Sequence, residues 1–298
     1  MQYRYYICDV FTKKPFCGNQ LAVFPEAEGL CAKQMQKIAK EFNFSETSFV
    51  FPSKKGYTKK VRIFTPTREV PFAGHPNIGT AFVLANDGSF GTLDHPKQVT
   101  FEEEAGVVSV SVTSYEDCGI FCELSAPQSL SVGNSISTDI VASVLSLNEA
   151  DILTQTHRPQ IASVGLPFLF VEVLSLEVLQ RAEVDISKLR LLSNNCATSY
   201  IHVYCRNINN YELRARMFAP LDGVTEDPAT GSANSALVGL LALNDLADDS
   251  ETDWYISQGT EIGRPSTLYG RTRKEKGKVT GIWMGGYSTL NAEGIFYV

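Results

Sequence analysis

Apolar and polar positions alternate along this chain in short blocks that predict strands and helices taking turns through both halves. Residues 3–8 and 20–24 are apolar runs of strand length, and Cys31 to Phe42 sets Met35, Ile38, Ala39 and Phe42 at helical spacing. Thr47 to Phe51 reads as a strand. Gln98–Glu103 and Val107–Thr113 read as a hairpin about Ala105-Gly106, followed by a strand over 119–124. The second half repeats the plan, with a strand-like stretch from Ile161 to Leu174, a short helix over 185–192 and a β-branched, aromatic strand over 199–205. Two more helices are predicted, one near His75 carrying Ile78, Ala81, Phe82 and Leu84, the other from Gly231 carrying Ala236, Leu237, Leu240 and Leu241.

Two segments resemble copies of each other. Arg62-Ile63-Phe64-Thr65-Pro66 followed by Ala73-Gly74-His75-Pro76-Asn77-Ile78-Gly79-Thr80-Ala81 matches Arg216-Met217-Phe218-Ala219-Pro220 followed by Glu226-Asp227-Pro228-Ala229-Thr230-Gly231-Ser232-Ala233. Aligning Gly79 with Gly231, 152 residues apart, sets His75 opposite Asp227. Aligning Asn43–Val50 with Asn194–Ile201 sets Glu46 opposite Ala197. Repetition at half the chain length predicts two similar lobes, 1–128 and 129–298, with the boundary in a polar, turn-forming stretch and the C-terminal strand a candidate to cross back to the first lobe. The seam between such lobes is the expected ligand site.

Charge and composition narrow the class. The 298 residues are 44% hydrophobic and 20% charged, and the formal charge of −7 offers no basic stripe for nucleic acid. No apolar run suits a signal peptide or a membrane span, so a cytoplasmic location is expected. Seven cysteines, with no pair of CxxC elements, disfavour both a disulfide framework and a zinc knuckle, and His157 and His202 lack a partner at ligand spacing, so no metal is expected. Lys274-Glu275-Lys276 reads as a solvated hairpin tip, and Arg264 as either a partner for a substrate carboxylate or a surface ion-pair residue.

Glu46 is the candidate acid/base. It stands at a strand entrance in an uncharged stretch, where desolvation would raise a carboxyl toward a useful value, although the same position would suit a cap or surface ion pair. Glycine-started helices near His75 and at Gly231 would let backbone N–H groups approach a bound carboxylate, the plainer role for Thr230 or Ser232 being an N-cap.

At this point a family resemblance becomes specific. Gly18-Asn19-Gln20-Leu21-Ala22-Val23-Phe24, Phe44-Ser45-Glu46-Thr47-Ser48-Phe49-Val50, the two repeated segments and Gln258-Gly259-Thr260-Glu261-Ile262-Gly263-Arg264-Pro265-Ser266 together resemble the PhzF family of phenazine-biosynthesis-like isomerases, in order and along the whole chain. The resemblance implies an α+β, diaminopimelate-epimerase-like fold, two pseudo-symmetric lobes that each wrap a mixed sheet or barrel around a central helix. It further implies a homodimer and a cofactor-free, metal-free isomerase acting on a small cyclic or unsaturated carboxylic acid in the cleft between lobes. Glu46 would move the proton, as in trans-2,3-dihydro-3-hydroxyanthranilate isomerase; His75 and Asp227 would assist. Asn19, Ser45, Gly74, Thr230, Gly231, Ser232 and Arg264 would bind substrate. Related epimerases carry a cysteine in each of the two loops, whereas this chain has Ala73-Gly74-His75 and Asp227-Pro228-Ala229, which disfavours two-base inversion. Cys17 and Cys196 lie near other motif segments and are read as packing residues. The remaining alternative is a binding or interaction module without turnover.

Overall fold

The computed structural model describes residues 1–298 and divides into two compact units, Met1–Ser125 with Gly285–Val298, and Ala126–Met284. The division falls at 125/126, against the 128/129 read from the sequence.

In the first unit the strands are β1 (Gln2–Val10), β2 (Asn19–Phe24), β3 (Glu46–Phe51), β4 (Lys59–Phe64), the two-residue β5 (Glu69–Val70), β6 (Lys97–Glu103), β7 (Gly106–Tyr115) and β8 (Gly119–Ser125). β1 pairs antiparallel with β2, β2 runs parallel to β3, β3 antiparallel to β4, β4 parallel to β6, and β6, β7 and β8 form an antiparallel meander. The C-terminal residues close the ring. Residues 288–297 pair antiparallel with β1, and the same final strand pairs with β8, where Phe121 meets Tyr287 edge-on at 5.1 Å.

Helix α1 (Ala32–Phe42) lies outside, its inner stripe of Met35, Ile38 and Ala39 packed into an aromatic cluster with Phe24, Phe49 and Phe64. Helix α2 (Gly74–Asn86) has no polar face at all: every residue from His75 to Ala85 is buried, the mark of a helix enclosed by sheet. Gly79 permits that closeness, since a Cβ there would stand 2.6 Å from Leu21 and 2.7 Å from Val10.

The second unit repeats the arrangement. After β9 (Ser131–Ser135) and α3 (Thr138–Val144) come β10 (Gln160–Ser163), β11 (Pro167–Glu172), α4 (Leu176–Arg181), α5 (Ile186–Ser193), β12 (Ile201–Ile208), β13 (Tyr211–Ala219), β14 (Val224–Asp227), α6 (Gly231–Asn244), β15 (Ser250–Gln258) and β16 (Ser266–Glu275). The stretch 161–174 is therefore two strands, not one; Gly165, at φ +146, turns it into a hairpin. The parallel steps recur, β11 beside β12 and β13 beside β15, and α6 is buried from Ala233 to Ala242. Lys276 and Gly277, both at positive φ, make the tight turn into β17 (Lys278–Tyr297), which runs through the unit boundary.

Strand register corrects the repeat alignment. Phe64 faces Thr47 and Phe218 faces Ile201, so the counterpart of Glu46 is Tyr200 and that of Ser48 is His202; Ala197 lies outside the strand. Ile63 faces Val70 and Met217 faces Asp227, so Asp227 answers to Val70, and with both helices beginning at glycine His75 answers to Ser232. Pro66 and Pro220 are 154 apart but Gly74 and Gly231 are 157 apart, so the second loop is three residues longer. The helix-glycine alignment instead paired Gly79, five residues inside α2, with Gly231 at the start of α6.

Lys274 is also not a solvated tip residue. It is 4% exposed, and its Nζ donates to the Leu243 and Asp245 carbonyls at 3.3 and 2.8 Å, closing the C-terminal end of α6 with a positive charge. Lys274→Met keeps the apolar stem and leaves two helix-end carbonyls without their charged donor. It should cost about 1–3 kcal/mol, read as a lower chemical-denaturation midpoint at unchanged slope.

Candidate active site

In the first unit the predicted residues gather around the start of α2. Glu46 is the first residue of β3, and its Oε2 lies 3.5 Å from Nε2 of His75, with the two side chains 19% and 7% exposed. The His75 ring donates to the Gln20 carbonyl, and Nε2 makes no hydrogen bond, so Nδ1 carries the proton and Nε2 turns its lone pair toward the carboxyl. Burial pushes His75 from its ordinary 6.5 down to about 3. It is thus a neutral acceptor in the physiological range.

Backbone geometry places the neighbours. Asn19, 1% exposed, opens β2 opposite Val10, and Gly18 before it sits at φ +67, where a Cβ would meet the Val10 carbonyl at 2.2 Å. Buried Asp9 accepts from the Phe16 amide at 2.8 Å and from Asn291 at 2.5 Å, which anchors the intervening loop. Ser45 and Gly74 are half-buried, beside Glu46 and His75 respectively. The N-cap of α2 is Ala73, which has no side chain to cap it.

The second unit builds a different arrangement on the same frame. Asp227, 7% exposed, ends β14 and accepts from Thr230 Oγ1 at 2.5 Å. Thr230 occupies the N-cap position of α6, yet its hydroxyl does not cap the helix; it serves Asp227 instead. Gly231 begins the helix, Ser232 follows half-buried, and half-buried Arg264 donates its amide to the Gly259 carbonyl at 2.9 Å.

Gln258, which the sequence showed only as the first residue of a motif and with no role, organises this half. Fully buried, it accepts from Thr230 N–H at 3.2 Å and Asn234 Nδ2 at 2.7 Å, and donates to the Asp227 carbonyl at 2.8 Å and Thr230 Oγ1 at 3.1 Å. Asn234 in turn donates to the Thr230 carbonyl at 3.0 Å and accepts from His202 at 3.3 Å. A visible signal existed: Gln258 precedes Gly259, whose φ of +77 and 2.4 Å clearance from the Pro228 carbonyl admit no side chain. A polar residue fixed beside such a glycine marks a docked loop.

The other histidine motifs are structural. His157 bonds Tyr204 at 2.7 Å, Tyr204 donates to buried Glu172, and half-buried Arg206 donates to the same carboxylate at 2.8 Å. No three His, Cys, Asp or Glu side chains converge as a metal ion would require.

The profile of phenazine biosynthesis-like proteins, PhzC-PhzF, matches residues 8–294. The chain belongs to this family. Among its PhzC-PhzF relatives, an uncharacterized isomerase of Mesorhizobium japonicum is 35% identical over 311 residues, covering 100% of both chains. The trans-2,3-dihydro-3-hydroxyanthranilate isomerase of Pseudomonas aeruginosa is 31% identical over 300 residues, covering 99% of this chain and 100% of its own. Of solved structures, a PhzF-family protein of Bacillus anthracis superposes with TM-score 0.89 at 24% identity over 100% of both chains. A hydroxyproline epimerase of Agrobacterium vitis superposes with TM-score 0.67 at 12% identity, over 99% of this chain and 91% of that one. PhzC-PhzF membership thus comes with an epimerase-like fold and relatives named as isomerases.

Within this PhzC-PhzF chain, Gln258 should carry the Asp227 loop. Gln258→Leu removes both acceptor and donor from four buried partners and should cost about 2–4 kcal/mol in equilibrium denaturation. An unchanged midpoint would show that the loop holds its shape without this residue.

Proposed function

We propose that the chain is a cofactor-independent isomerase that shifts a proton between carbons of a small cyclic or unsaturated carboxylic acid, with Glu46 as the acid/base. The observation that carries this reading is the pair formed by the Glu46 carboxyl and the neutral His75 imidazole, 3.5 Å apart and largely withdrawn from water. A carboxylate so placed can take a proton from carbon while the C–H electrons pass into the conjugated system of the substrate. It can then return that proton to another carbon as the double bond moves. The sum is one C–H bond broken and one formed, with no net redox change.

His75 suits the supporting role. Its Nε2 lone pair can share the proton that Glu46 gains, or accept from a substrate hydroxyl, without adding positive charge to a buried site. Asp227, buried and oriented by Thr230, is proposed as part of the same machinery, and the helix starts at Gly74 and Gly231 as binders of the substrate carboxylate. Relatives named trans-2,3-dihydro-3-hydroxyanthranilate isomerase support an unsaturated amino acid of that kind as the first substrate to try.

A thiol-based two-base epimerase is disfavoured chemically. Neither loop holds a cysteine, and Cys205, the nearest in sequence to the second loop, is buried with its thiol pushed up to about 12. The non-catalytic alternative is separated by isotope exchange. In D2O the protein should place deuterium on a substrate carbon, and Glu46→Gln should slow this by about 10²–10⁴-fold. Binding without exchange across unsaturated acids would leave only a ligand-binding module.

The two deeply buried histidines also set an acid limit. His75 and His202 both fall from 6.5 to about 3 through burial, so the folded state resists protons that the unfolded chain takes up. The stability they confer is complete above pH 6.5 and is lost as pH falls toward about 3. Thermal melts should decline across that window, and His75→Asn should flatten part of the decline.

A further inference from the structure

This inference rests on the reading of Glu46 and His75 and extends it to what holds His75 in place. We propose that the Glu103 carboxyl is a positioning residue, a latch that fixes the first turn of α2, and with it His75, through Asn77.

Glu103 ends β6 on the face that points inward. Val99, Phe101 and Glu103 alternate on that face at 1%, 0% and 8% exposure, so the period-2 pattern delivers a carboxyl where an apolar side chain would pack. The Asn77 carboxamide donates toward the Glu103 carboxyl, whose two oxygens find no other partner. The Asn77 carboxamide lies beside the carboxyl and donates through Nδ2 to the Ala73 carbonyl at 3.0 Å, across the turn that carries His75. Asn77 Nδ2 has a second hydrogen for the Glu103 carboxyl, as Asn234 Nδ2 gives one to Gln258 Oε1, and the carboxyl accepts it whether or not it is protonated. What only the carboxylic acid adds is an O–H, the donor that Gln258 gives to the Asp227 carbonyl and that Glu103 can give to the counterpart of Asp227, Val70, across the cavity both line.

The second unit shows what the position does when its chemistry is fixed. Gln258 ends β15 as Glu103 ends β6, each on the strand parallel to β13 and β4 respectively. Asn234 answers to Asn77, each bonding back to the residue before its helix at 3.0 Å. Gln258 both donates and accepts there, joining Asn234, Thr230 and the Asp227 carbonyl. A protonated glutamate has the same shape and the same pairing of one donor with one acceptor, so Glu103 in its acid form is the natural counterpart. The loop already docks on this strand end, the Ala105 amide donating to the Pro71 carbonyl at 3.1 Å.

The surroundings favour the acid form. Burial raises Glu103 from 4.5 to about 8, with Asn77 offsetting part of the rise. The charged groups lining the adjoining cavity come from its own strand and from neighbouring elements: Glu102 and Glu104, Lys60 and Arg62 of β4, Glu69 of β5, and Lys55. Arg62 is held by Glu69 through two bonds of 2.6 Å, Lys55 by Glu102 at 2.8 Å, and Lys60 stands opposite Glu102 in the strand pairing.

Glu103→Gln on the full chain makes the latch permanent, and Glu103→Ala removes it. Since the folded carboxyl keeps its proton to about 8 while the unfolded one loses it near 4.5, wild-type melting temperature should fall as pH rises through that window, and Glu103→Gln should abolish this slope. The infrared C=O band of a protonated carboxyl should vanish in Glu103→Gln at neutral pH. In the exchange assay, kcat should drop above about pH 8 in wild type, persist there in Glu103→Gln, and fall about tenfold or more at all pH values in Glu103→Ala. An alkaline limb unchanged in Glu103→Gln, or an infrared spectrum identical to wild type, overturns the proposal, and both measurements stand if Glu103→Ala fails to fold. Exchange that is absent, or indifferent to Glu46→Gln, would instead sink the isomerase reading, while melting and infrared spectra still judge Glu103.

Discussion

The enclosure of α2 and α6 by sheet governs everything else in this protein. A helix buried on all sides has no water to satisfy its polar side chains or its first amides, so every polar atom near its start must find a protein or ligand partner. Asn77 and Asn234 show the consequence, each folding back on the carbonyl just before its helix. The same enclosure removes His75 from solvent and keeps it neutral. Chemistry at the helix start follows from burial of the helix body.

Two ion pairs hold the frame in both units. Arg62 grips Glu69 while lying over Phe64, and Arg216 grips Glu226 while lying over Phe218, in both cases joining the long strand to the short one that follows. Such planar, bidentate pairs over an aromatic ring fix direction as well as distance. Arg216 goes further, donating to the Leu179 and Ala182 carbonyls at 2.9 Å and so binding α4 to the sheet. The loop from strand to helix thus leaves a rigid anchor in each unit, and its length decides which residue reaches the helix start.

Much of this was legible in the sequence because period and glycine are local signals. Strand alternation located β1, β2, β3 and the β6–β7–β8 meander to within two residues, and Gly74 and Gly231 marked the helix starts. What failed was the choice of glycine: pairing Gly79, inside α2, with Gly231, at the start of α6, slipped the repeat by five residues and set His75 opposite Asp227, where strand register puts Val70. The roles of Glu103, Gln258 and Lys274, the last read as a solvated tip residue, were missed for another reason. Each is a polar residue on an inward-facing strand position, and sequence assigns such residues to solvent unless the partner that satisfies them is known.

The corrected register changes what the repeat says about chemistry. Equivalent positions hold Glu46 and Tyr200, His75 and Ser232, Val70 and Asp227, while the arginine–glutamate anchors and the helix-start asparagines are the same in both units. The frame repeats; the groups it presents do not. An enzyme that takes a proton from one face and delivers one to the other needs two bases of matched strength, whereas one that moves a proton along a single face needs one base and surroundings that orient the substrate. A repeat that offers a carboxyl beside a neutral imidazole in one unit and an aspartate tied to a threonine in the other has the asymmetry of the second kind. That asymmetry is the physical argument for proton relocation over stereoinversion on a fold that also serves epimerases.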